Sequence, residues 1–375
     1  MKILIIEPFF TGSHSAWANG IKKFSAHDIY IIKLPGKHWK WRMHGSAITL
    51  AKKFKNLNIK PDLIIATDMI DLTSFLALTR KETHSTPVIL YFHENQLNYP
   101  WSPKDRDLIN KRDKHYVFIN YISAIAADHI FFNSKFHMDS FTNELPKFLE
   151  LFPDYREKSS VDLIKKKSEV LHLGIDLKKF DGFIIDKQRI NTDTIVPTIL
   201  WNHRWEYDKN PGDFFEALYS LDRMGLKFKV VIIGRNSDVI LDHFTAAEKR
   251  LGDKIVKFGY AETFDEYAKW LWKSDILPVT SNHDFFGISI IEALYCNTIP
   301  LLPKRLAYPE IIPIKDFKNF YYDNQKQLVS LLKKRITDFN NIDKSKLKKN
   351  ALIYDWENMI KKYDDKFEKT IGGKK

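Results

Sequence analysis

Residues 280–300 read TSNHDFFGISIIEALYCNTIP, and this stretch predicts a turn from a buried strand into a helix. The apolar residues just before it are typical of a parallel strand, and the polar residues that follow lead through Gly287 into a helix-like run, 288–296. Two carboxylates, Asp284 and Glu292, therefore lie on either side of a predicted helix start.

A helix start of this kind suits a phosphorylated ligand, because its first N–H groups are unpaired and lie at the positive end of the helix dipole. Glu292, about one turn into the helix, could accept both hydroxyls of a ribose, as an acidic residue does in other nucleotide sites. Gly287 would let the backbone approach the ligand. The alternative is that Asp284 only caps the helix and Glu292 is a solvated helix residue. The spacing leaves both interpretations open.

The length and composition predict a two-domain globular protein. A chain of 375 residues exceeds the size at which single cores stop growing, and its 44% hydrophobic and 28% charged residues exclude a disordered chain. The single cysteine, Cys296, excludes an internal disulfide and a cysteine-built zinc site. We find no signal-peptide pattern and no apolar run of roughly 20 residues, so we expect a cytoplasmic protein with no transmembrane segment.

The charge balance favours an anionic partner. Lys and Arg number 59 and Asp and Glu 47, which gives a formal charge of +12 and a pI near 9.3. A nucleic acid, an anionic membrane or a phosphorylated substrate would each fit such a charge. The alternative is a lysine-rich composition that only keeps the protein in solution, and charge alone does not decide between them.

Short β-like runs alternate with helical runs in both halves of the chain, which predicts an α/β fold of two doubly wound Rossmann-like domains with parallel sheets. The predicted strands are 3–6, 29–32, 63–66, 88–92, 129–132, 198–201, 229–233, 255–258, 276–279 and 299–302. The predicted helices are 14–25, 45–57, 71–80, 107–126, 211–224, 238–250, 263–273 and 288–296. A polar, lysine-rich region at about 154–195 is the predicted linker.

Polar residues follow two strands of the first half, where ligands bind in parallel sheets. Gly12 and Ser13 could bring backbone donors to a ligand at the next helix start, and residues 93–100 form a loop rich in side chains that make directional hydrogen bonds. His93 and Glu94 could ligate a metal ion. They do not form an H-E-x-x-H motif and no third ligand is evident, so we predict no metal site.

Cations and indoles alternate in a segment after the second strand. Lys37, Lys40 and Arg42 are interleaved with Trp39 and Trp41, a pattern typical of segments that stack on bases and neutralise phosphates. In the alternative interpretation the indoles pack into a loop core while the lysines extend to solvent. Both interpretations remain open from the sequence.

Arg204 and Lys209 follow the first strand of the second half and flank a turn into a helix that begins at Pro211. A planar guanidinium and a compact ammonium together suit a diphosphate. They could also be ordinary surface charges, but their position after a strand favours a binding role.

These residues resemble a known signature. Arg204 with Lys209, and then Asp284-Phe-Phe-Gly287-Ile-x-x-x-Glu292-Ala, are similar to the nucleotide-sugar motif of GT-B glycosyltransferases of family 4. That family commonly has glutamate where this chain has Asp284. The segment Leu-Gly-Ile-Asp at 173–176 resembles its interdomain crossing.

The first half narrows the resemblance to the tRNA-queuosine mannosyltransferase family. The motifs that carry it are Glu7-Pro-Phe-Phe-x-Gly-Ser-His14, Lys40-Trp-Arg-Met-His-Gly45, Phe92-His-Glu-Asn-Gln-Leu-x-Tyr-Pro100 and Phe132-Asn-Ser134. The resemblance covers most of the chain.

The resemblance implies a GT-B fold whose two sheets face a cleft. Residues 1–172, completed by a C-terminal helix at 354–370, would form the acceptor-binding domain, and residues 173–353 the nucleotide-sugar-binding domain. The implied reaction is a retaining transfer of a hexose, mannose from GDP-mannose, to queuosine in a tRNA anticodon loop. No cofactor besides the donor and no metal ion would be needed.

The resemblance also implies roles for individual residues. Those of the reaction centre would be Arg204, Lys209, Asp284 and His93. Donor binding would fall to Glu292, Tyr260 near the base, and the backbone of Phe286, Gly287 and Ile288. Acceptor binding would fall to Gly12, Ser13, His14, Glu94, Asn95, Gln96, Lys37, Trp39, Lys40, Trp41 and Arg42.

Two other functions stay open at this point. One is a family 4 enzyme that acts on a lipid-linked or polysaccharide acceptor. The other is a non-catalytic tRNA-binding protein on the same fold.

Overall fold

The computed structural model describes residues 1–102, 105, 107, 114–184, 196–235 and 242–372. The chain divides into two compact units, the first made of Met1–Ile175 with Trp356–Lys375 and the second of Asp176–Asp355. Each unit contains a six-stranded parallel sheet, which confirms the predicted α/β class. Within the described residues, no helix combines the length and the hydrophobicity that crossing a membrane requires.

The first sheet has the strand order β2-β1-β3-β4-β5-β6, and the pairing is parallel throughout. Apolar runs predicted its first five strands, because a strand covered on both faces is apolar along its whole length. The strands are β1 (Lys2–Phe10), β2 (Asp28–Pro35), β3 (Leu63–Thr67), β4 (Val88–Phe92), β5 (His129–Phe132) and β6 (Ser168–Val170).

The helices of the first unit surround this sheet and bury an apolar core with it. They are α1 (Gly12–Phe24), α2 (Trp39–Leu57), α3 (Leu72–Leu78), α4 (Arg80–Thr83), α5 (His115–Ala126), α6 (Lys135–Leu149) and α7 (Ser160–Lys166). The predicted helix at 107–126 matches α5 from His115 onward, and residues 108–113 lie outside the described residues.

The second sheet has the order β12-β11-β10-β7-β8-β9. Its strands are β7 (Thr198–Trp201), β8 (Lys229–Ile233), β9 (Ile255–Gly259), β10 (Ile276–Pro278), β11 (Ile299–Pro303) and β12 (Tyr321–Tyr322). The α-helices are α8 (Pro211–Arg223), α9 (Asp242–Leu251), α10 (Phe264–Lys273), α11 (Ile288–Tyr295), α12 (Tyr308–Ile311), α13 (Ile314–Phe317), α14 (Gln325–Asp338) and α15 (Ser345–Leu352). Short 3₁₀ turns occur at Lys178–Phe183, Tyr207–Lys209, Gly252–Lys254, Lys318–Phe320 and Phe339–Asn341.

The last helix, α16 (Trp356–Gly372), belongs to the first unit. The indole of Trp356 lies against two glycines: a β-carbon built on Gly20 or on Gly174 would come within 2.1 or 2.4 Å of it. The hydroxyl of Tyr363 accepts a hydrogen bond from the indole of Trp17 (3.0 Å) and donates one to the carbonyl of His172 (2.8 Å). The helix is therefore held on the first unit by buried aromatic contacts.

Three predictions about local structure were wrong. Strand β1 continues to Phe10, past Pro8, because a register shift between Glu7 and Phe10 accommodates a residue that cannot donate a ladder hydrogen bond. Helix α2 starts at Trp39, so the basic and aromatic segment forms its first turns from Trp39 onward, and only Lys37 precedes the helix. Its N-cap is His38 in the left-handed region (φ 55°), with no side-chain cap that a sequence pattern would reveal.

The third error concerns the linker. Part of the region at 154–195 forms α7, which buries Val161 and Ile164, and the edge strand β6. A three-residue edge strand with the sequence Ser-Glu-Val has too little apolar character to stand out from a polar segment. Residues 185–195 lie outside the described residues.

Candidate functional site

The loop after β7 presents Lys209 at the carboxyl end of the second sheet. A 3₁₀ turn, Tyr207–Lys209, leads to Asn210, whose left-handed backbone (φ 52°) and side-chain oxygen cap α8 at the N–H of Asp213 (3.4 Å). The hydroxyl of Thr280, just after β10, donates to the carbonyls of Lys209 (3.0 Å) and Asn210 (2.9 Å). The ends of two adjacent strands thus fix the position of this lysine.

Lys209 is a buried cation with anionic neighbours. Its Nζ lies 3.1 Å from Oδ2 of Asp208 and 3.8 Å from Oδ2 of Asp284, and it donates a hydrogen bond to the carbonyl of His283 (2.8 Å). Lys209 and Asp208 are only 8% and 2% exposed. The structure therefore brings together Lys209 and Asp284, which the sequence placed in separate motifs, and adds Asp208 as a second anionic neighbour of the lysine.

Two buried histidines flank this ion cluster without adding charge to it. Burial, and next the positive charge of Lys209, lower the pKa of both His203 and His283 to about 4. Both rings are therefore neutral near pH 7. The Nδ1 of His203 is in hydrogen-bonding contact with the hydroxyl of Ser289 at 3.1 Å, which links the β7 loop to α11.

Arg204 lies on the same loop as Lys209 but is far more accessible to solvent. Its side chain is 52% exposed and its NH2 lies 3.1 Å from Oε2 of Glu206. Burial raises the pKa of Glu206, and the charge of Arg204 opposes that rise. The two cations thus differ in environment. Lys209 is buried and fixed by its contacts, whereas the guanidinium of Arg204 is exposed to solvent.

Asp284 does not cap helix α11, so that alternative interpretation of its position is wrong. Gly287 itself is the N-cap of α11, with φ of 104°, and Asp284 receives a hydrogen bond from the hydroxyl of Tyr308 (3.3 Å) and faces Lys209. A side chain at Gly287 would be strained at this φ and would meet Ile290 at 3.2 Å. Phe286 is buried beside this glycine in sequence.

Glu292 is not a solvated helix residue. The hydroxyl of Tyr267, on α10, donates a hydrogen bond to its Oε2 (2.8 Å). Burial raises the pKa of Glu292, while the charge of Lys179 and the Tyr267 hydrogen bond lower it. The Glu292 carboxylate is therefore oriented by the hydroxyl of Tyr267. Tyr260, the predicted base-binding residue after β9, is 53% exposed.

The carboxyl end of the first sheet carries a second, buried polar cluster. The Nδ1 of His14 lies 3.2 Å from both carboxylate oxygens of Glu7, and its ring centroid is 4.2 Å from that of His93. The backbone N–H of His93 donates to Oδ1 of Asp68 (2.8 Å). Gly12 and Ser13, at the start of α1, are exposed next to this cluster in sequence.

The two histidines of this cluster differ in protonation state. Burial lowers the pKa of His14, but the charge and hydrogen bond of Glu7, with smaller effects from Asp68 and Glu94, raise it to about 9. Burial and the charge of His14 lower the pKa of His93 well below its usual range. His14 is therefore an imidazolium and His93 a neutral imidazole near pH 7.

A metal ion is one group that this cluster could hold. Glu7, His14 and His93 each offer one donor atom, and these three atoms lie within 4.8 Å of one another. An ion there would have to displace the proton that His14 shares with Glu7.

The loop after β4 uses its polar side chains mainly on itself. The side-chain oxygen of Asn95 accepts the backbone N–H groups of Leu97 (3.1 Å) and Asn98 (2.9 Å), and the amide of Gln96 donates to Glu94 (3.0 Å). Asn95 and Gln96 are both buried. The predicted acceptor-binding residues Glu94, Asn95 and Gln96 therefore stabilise the conformation of the loop itself.

The basic and aromatic segment separates into structural and exposed residues. Lys40 forms ion pairs with Asp105 (2.6 Å) and Asp107 (2.5 Å), and Trp39 packs against Tyr116 with ring centroids 5.0 Å apart. The predicted roles of Lys40 on a phosphate and of Trp39 on a base do not fit these contacts, because both side chains already have partners inside the unit. Trp41 is 64% exposed.

The two cations beside Trp41 differ in their contacts. Lys37 is exposed, whereas the Nε–H of Arg42 donates to the carbonyl of Pro35 (3.1 Å). Trp41 and Lys37 are thus the most accessible members of this segment.

Sequence reasoning missed Asp68, Glu7, Asp208 and Tyr267 as members of these clusters. Asp68 directly follows the last residue of β3, so the strand-end rule that selected His93 would also have found it. Glu7 directly follows the predicted strand 3–6, so the same rule would have found it, although β1 continues past it in the structure. Asp208 and Tyr267 join their clusters only through tertiary contacts, so no comparable signal marks them.

Comparisons with known proteins agree on both units. Residues 2–175 match the family model described as tRNA-queuosine alpha-mannosyltransferase N-terminal, and residues 183–352 match that of glycosyl transferases group 1. The chain is similar to the tRNA-queuosine alpha-mannosyltransferase of Drosophila melanogaster, with 36% identity over 84% of this chain and 83% of that protein.

More distant similarities point to the same fold. A GDP-mannose:cellobiosyl-diphosphopolyprenol alpha-mannosyltransferase of Xanthomonas oryzae pv. oryzae is 22% identical over 54% of this chain and 53% of that protein. Among solved structures, the sucrose-phosphate synthase of Thermosynechococcus elongatus superposes with a TM-score of 0.70 at 12% identity, with all of both chains covered. These likenesses confirm the predicted GT-B fold.

Proposed function

The chain belongs to the tRNA-queuosine alpha-mannosyltransferase family and is a glycosyltransferase, and on that basis we propose that it transfers mannose from GDP-mannose to queuosine in a tRNA anticodon loop. The observation that carries the proposal is the 36% identity to the Drosophila enzyme over most of both chains. Family membership removes the non-catalytic alternative. A tRNA acceptor would place the enzyme in the cytoplasm.

The second unit would bind and activate the donor. Cleavage of a glycosyl phosphate bond leaves negative charge on the diphosphate, so a preorganised cation stabilises the transition state more than the ground state. Lys209 is fixed by its neighbours before any ligand arrives, and the exposed Arg204 can reach outward as a second cation. The N–H groups at the start of α11 would add neutral donors, with Gly287 allowing close approach.

Donor recognition would use Glu292 and Asp284. Glu292, oriented by Tyr267, would accept the ribose hydroxyls, and Asp284, oriented by Tyr308, would bind a sugar hydroxyl. We propose a retaining front-face reaction in which the leaving phosphate takes the acceptor proton, without a metal ion or a cofactor.

The first unit would bind the tRNA. An exposed indole beside cations suits an unstacked base flanked by phosphates, and Trp41, Lys37 and Arg42 retain that arrangement. Trp41 lies against Gly45, where an added β-carbon would come within 2.6 Å of the indole. This support holds the ring on the helix surface and leaves its other face for a base.

The decisive experiment incubates the protein with queuosine-containing tRNA and, separately, with GDP-mannose, GDP-glucose, UDP-glucose and UDP-galactose, followed by mass spectrometry of the nucleosides. We expect a hexose on queuosine with GDP-mannose, and none in tRNA that carries guanosine instead. No hexose product with any donor would refute the proposal. Glu292→Gln is the matched variant, since it keeps the shape of the side chain and removes its charge.

A lipid-linked acceptor is the second candidate. It is supported by the similarity to the Xanthomonas enzyme and by the exposure of Phe118 and Ile125 on α5. Parallel reactions that contain a diphosphopolyprenol-linked disaccharide in place of tRNA would test it. A mannosylated lipid with no product on tRNA would favour this candidate over the first.

A further inference from the structure

The buried cluster at the carboxyl end of the first sheet has more acidic than basic side chains. Glu7 and Asp68 are 0% and 1% exposed, and Glu94 follows His93 on the same loop and interacts with both Asp68 and His14. His14 is the single imidazolium among these four side chains. A buried carboxylate is charged only when it is paired, so Asp68 holds a proton near pH 7 until another positive group binds beside it.

The same cluster contains polar atoms that have no hydrogen-bond partner within the described part of the chain. Oδ2 of Asp68 and both ring nitrogens of His93 are buried and unpaired. Burial raises the pKa of Asp68 to about 8, with Glu94 and Glu7 adding to this rise and His14 opposing it. A carboxylate oxygen and an imidazole in this condition are normally satisfied by water, an ion or a ligand.

The chemistry of the acceptor supplies such a group. Queuosine carries a cyclopentenediol joined to its 7-deazaguanine base through a methylene and a secondary amine. A secondary alkylamine is protonated near neutral pH, and it lies next to two hydroxyls. Guanosine, the unmodified residue, has neither group.

We propose that Asp68, supported by Glu7 and Glu94, binds the ammonium group of queuosine, while His93 hydrogen-bonds to a neighbouring hydroxyl. This inference rests on the proposed function and assigns a recognition role to Asp68 and Glu7. The net charge of +12 attracts the phosphates of any tRNA equally. The buried acidic cluster instead selects the modified base, because only that base brings a cation to compensate it.

A divalent metal ion is the other cation that could fill the cluster. Two features favour an ammonium. The Nδ1 of His14 already pairs with both oxygens of Glu7, which takes two of the three possible metal ligands. The unpaired oxygen lies on Asp68, outside that group of three.

The test compares two precursor bases of similar size placed in the same tRNA. One is 7-aminomethyl-7-deazaguanine, which carries an ammonium, and the other is 7-cyano-7-deazaguanine, which is neutral. Neither has the diol, so neither accepts a sugar, and the affinity of the protein for each tRNA is measured directly. We expect the aminomethyl tRNA to bind about tenfold more tightly, which corresponds to about 1.4 kcal/mol.

Asp68→Asn should reduce this preference to near unity, whereas Asp162→Asn, an exposed aspartate on α7, should retain it. Equal affinity of the wild-type protein for the two tRNAs would overturn the inference, and that comparison needs no variant to fold. Retention of the preference by a folded Asp68→Asn protein would also overturn it. If the variant does not fold, Glu94→Gln, which changes a partly exposed side chain, takes its place.

Metal analysis of the purified protein distinguishes the two cations. A stoichiometric divalent ion, together with loss of the amine preference, would assign the cluster to the metal and overturn the inference. Failure of the proposed function gives a different result, namely no hexose on queuosine-containing tRNA with any donor. Mannosylation of that tRNA without an amine preference would refute only the assignment to Asp68.

Discussion

Replacing Lys209 by methionine should destabilise the second unit strongly, because it removes the cation and keeps the buried carboxylates. Asp208, 2% exposed and 3.1 Å from the lysine, would lose its charged partner. Breaking a buried ion pair from one side costs about 3–5 kcal/mol. At about 2–4 °C per kcal/mol for a unit of this size, the unfolding midpoint should fall by roughly 6–20 °C.

The double variant Asp208→Asn/Lys209→Met should recover part of this loss, since it also removes the orphaned charge. The non-additive coupling between the two positions should be about 0.5–3 kcal/mol. The transfer of mannose should stay abolished in both proteins, because the recovered stability does not restore a cation for the diphosphate. Comparison of the two variants would thereby distinguish the contribution of Lys209 to stability from its contribution to catalysis.

Differential scanning calorimetry gives the midpoints, and nucleoside mass spectrometry gives the transfer activity. Lys254→Met is the matched control, because Lys254 pairs with Asp222 near the surface, where such pairs contribute about 0–1 kcal/mol. A midpoint for Lys209→Met no lower than that of the control would refute the reasoning. So would a double variant that is less stable than the single one.

Three further predictions follow from other contacts. Glu292→Ala should raise the KM for the nucleotide sugar at least tenfold while the unfolding midpoint changes by only a few degrees; an unchanged KM would contradict ribose binding. Burial raises the pKa of Asp68 from 3.8 to about 8 in the folded protein. At pH values between these two, the folded state therefore binds a proton that the unfolded chain does not. Stability should therefore fall as pH rises through that range, and Asp68→Asn should lessen the fall; parallel curves for both proteins in thermal melts would contradict this. Gly20→Ala should destabilise the first unit by about 1–3 kcal/mol, because the new methyl meets the indole of Trp356 at 2.1 Å, whereas Gly182→Ala, with open space around it, should change little in urea unfolding.

Most of the fold could be predicted because its strands are covered on both faces. Predominantly apolar runs marked ten of the twelve strands, and the two that escaped, β6 and β12, are three and two residues long. The three residues of β6, Ser-Glu-Val, are only partly buried, and β12 is too short to form a pattern, whereas the equally short β10 is buried and apolar and was predicted. The start of α2 escaped for another reason: the left-handed backbone of His38 replaces the side-chain cap that usually marks a helix start.

The residues of the candidate site that could be predicted are those that follow a predicted strand. Position after a strand selected Arg204, Lys209 and His93 without knowledge of any contact. The same rule could not show that Lys40 would be paired with two aspartates, because that pairing depends on how a distant loop folds back. It could not reveal Asp208 either, whose role follows from the geometry of the loop it shares with Lys209.

The discontinuous first unit has a consequence for synthesis on the ribosome. Helix α16, which brings Trp356 against Gly20 and Gly174, is translated only after the whole of Asp176–Asp355. While the second unit is being synthesised, the first unit therefore exposes the apolar surface that α16 covers in the folded protein. Nascent chains stalled before Trp356 should accordingly recruit chaperones through the first unit, although that unit was translated earlier.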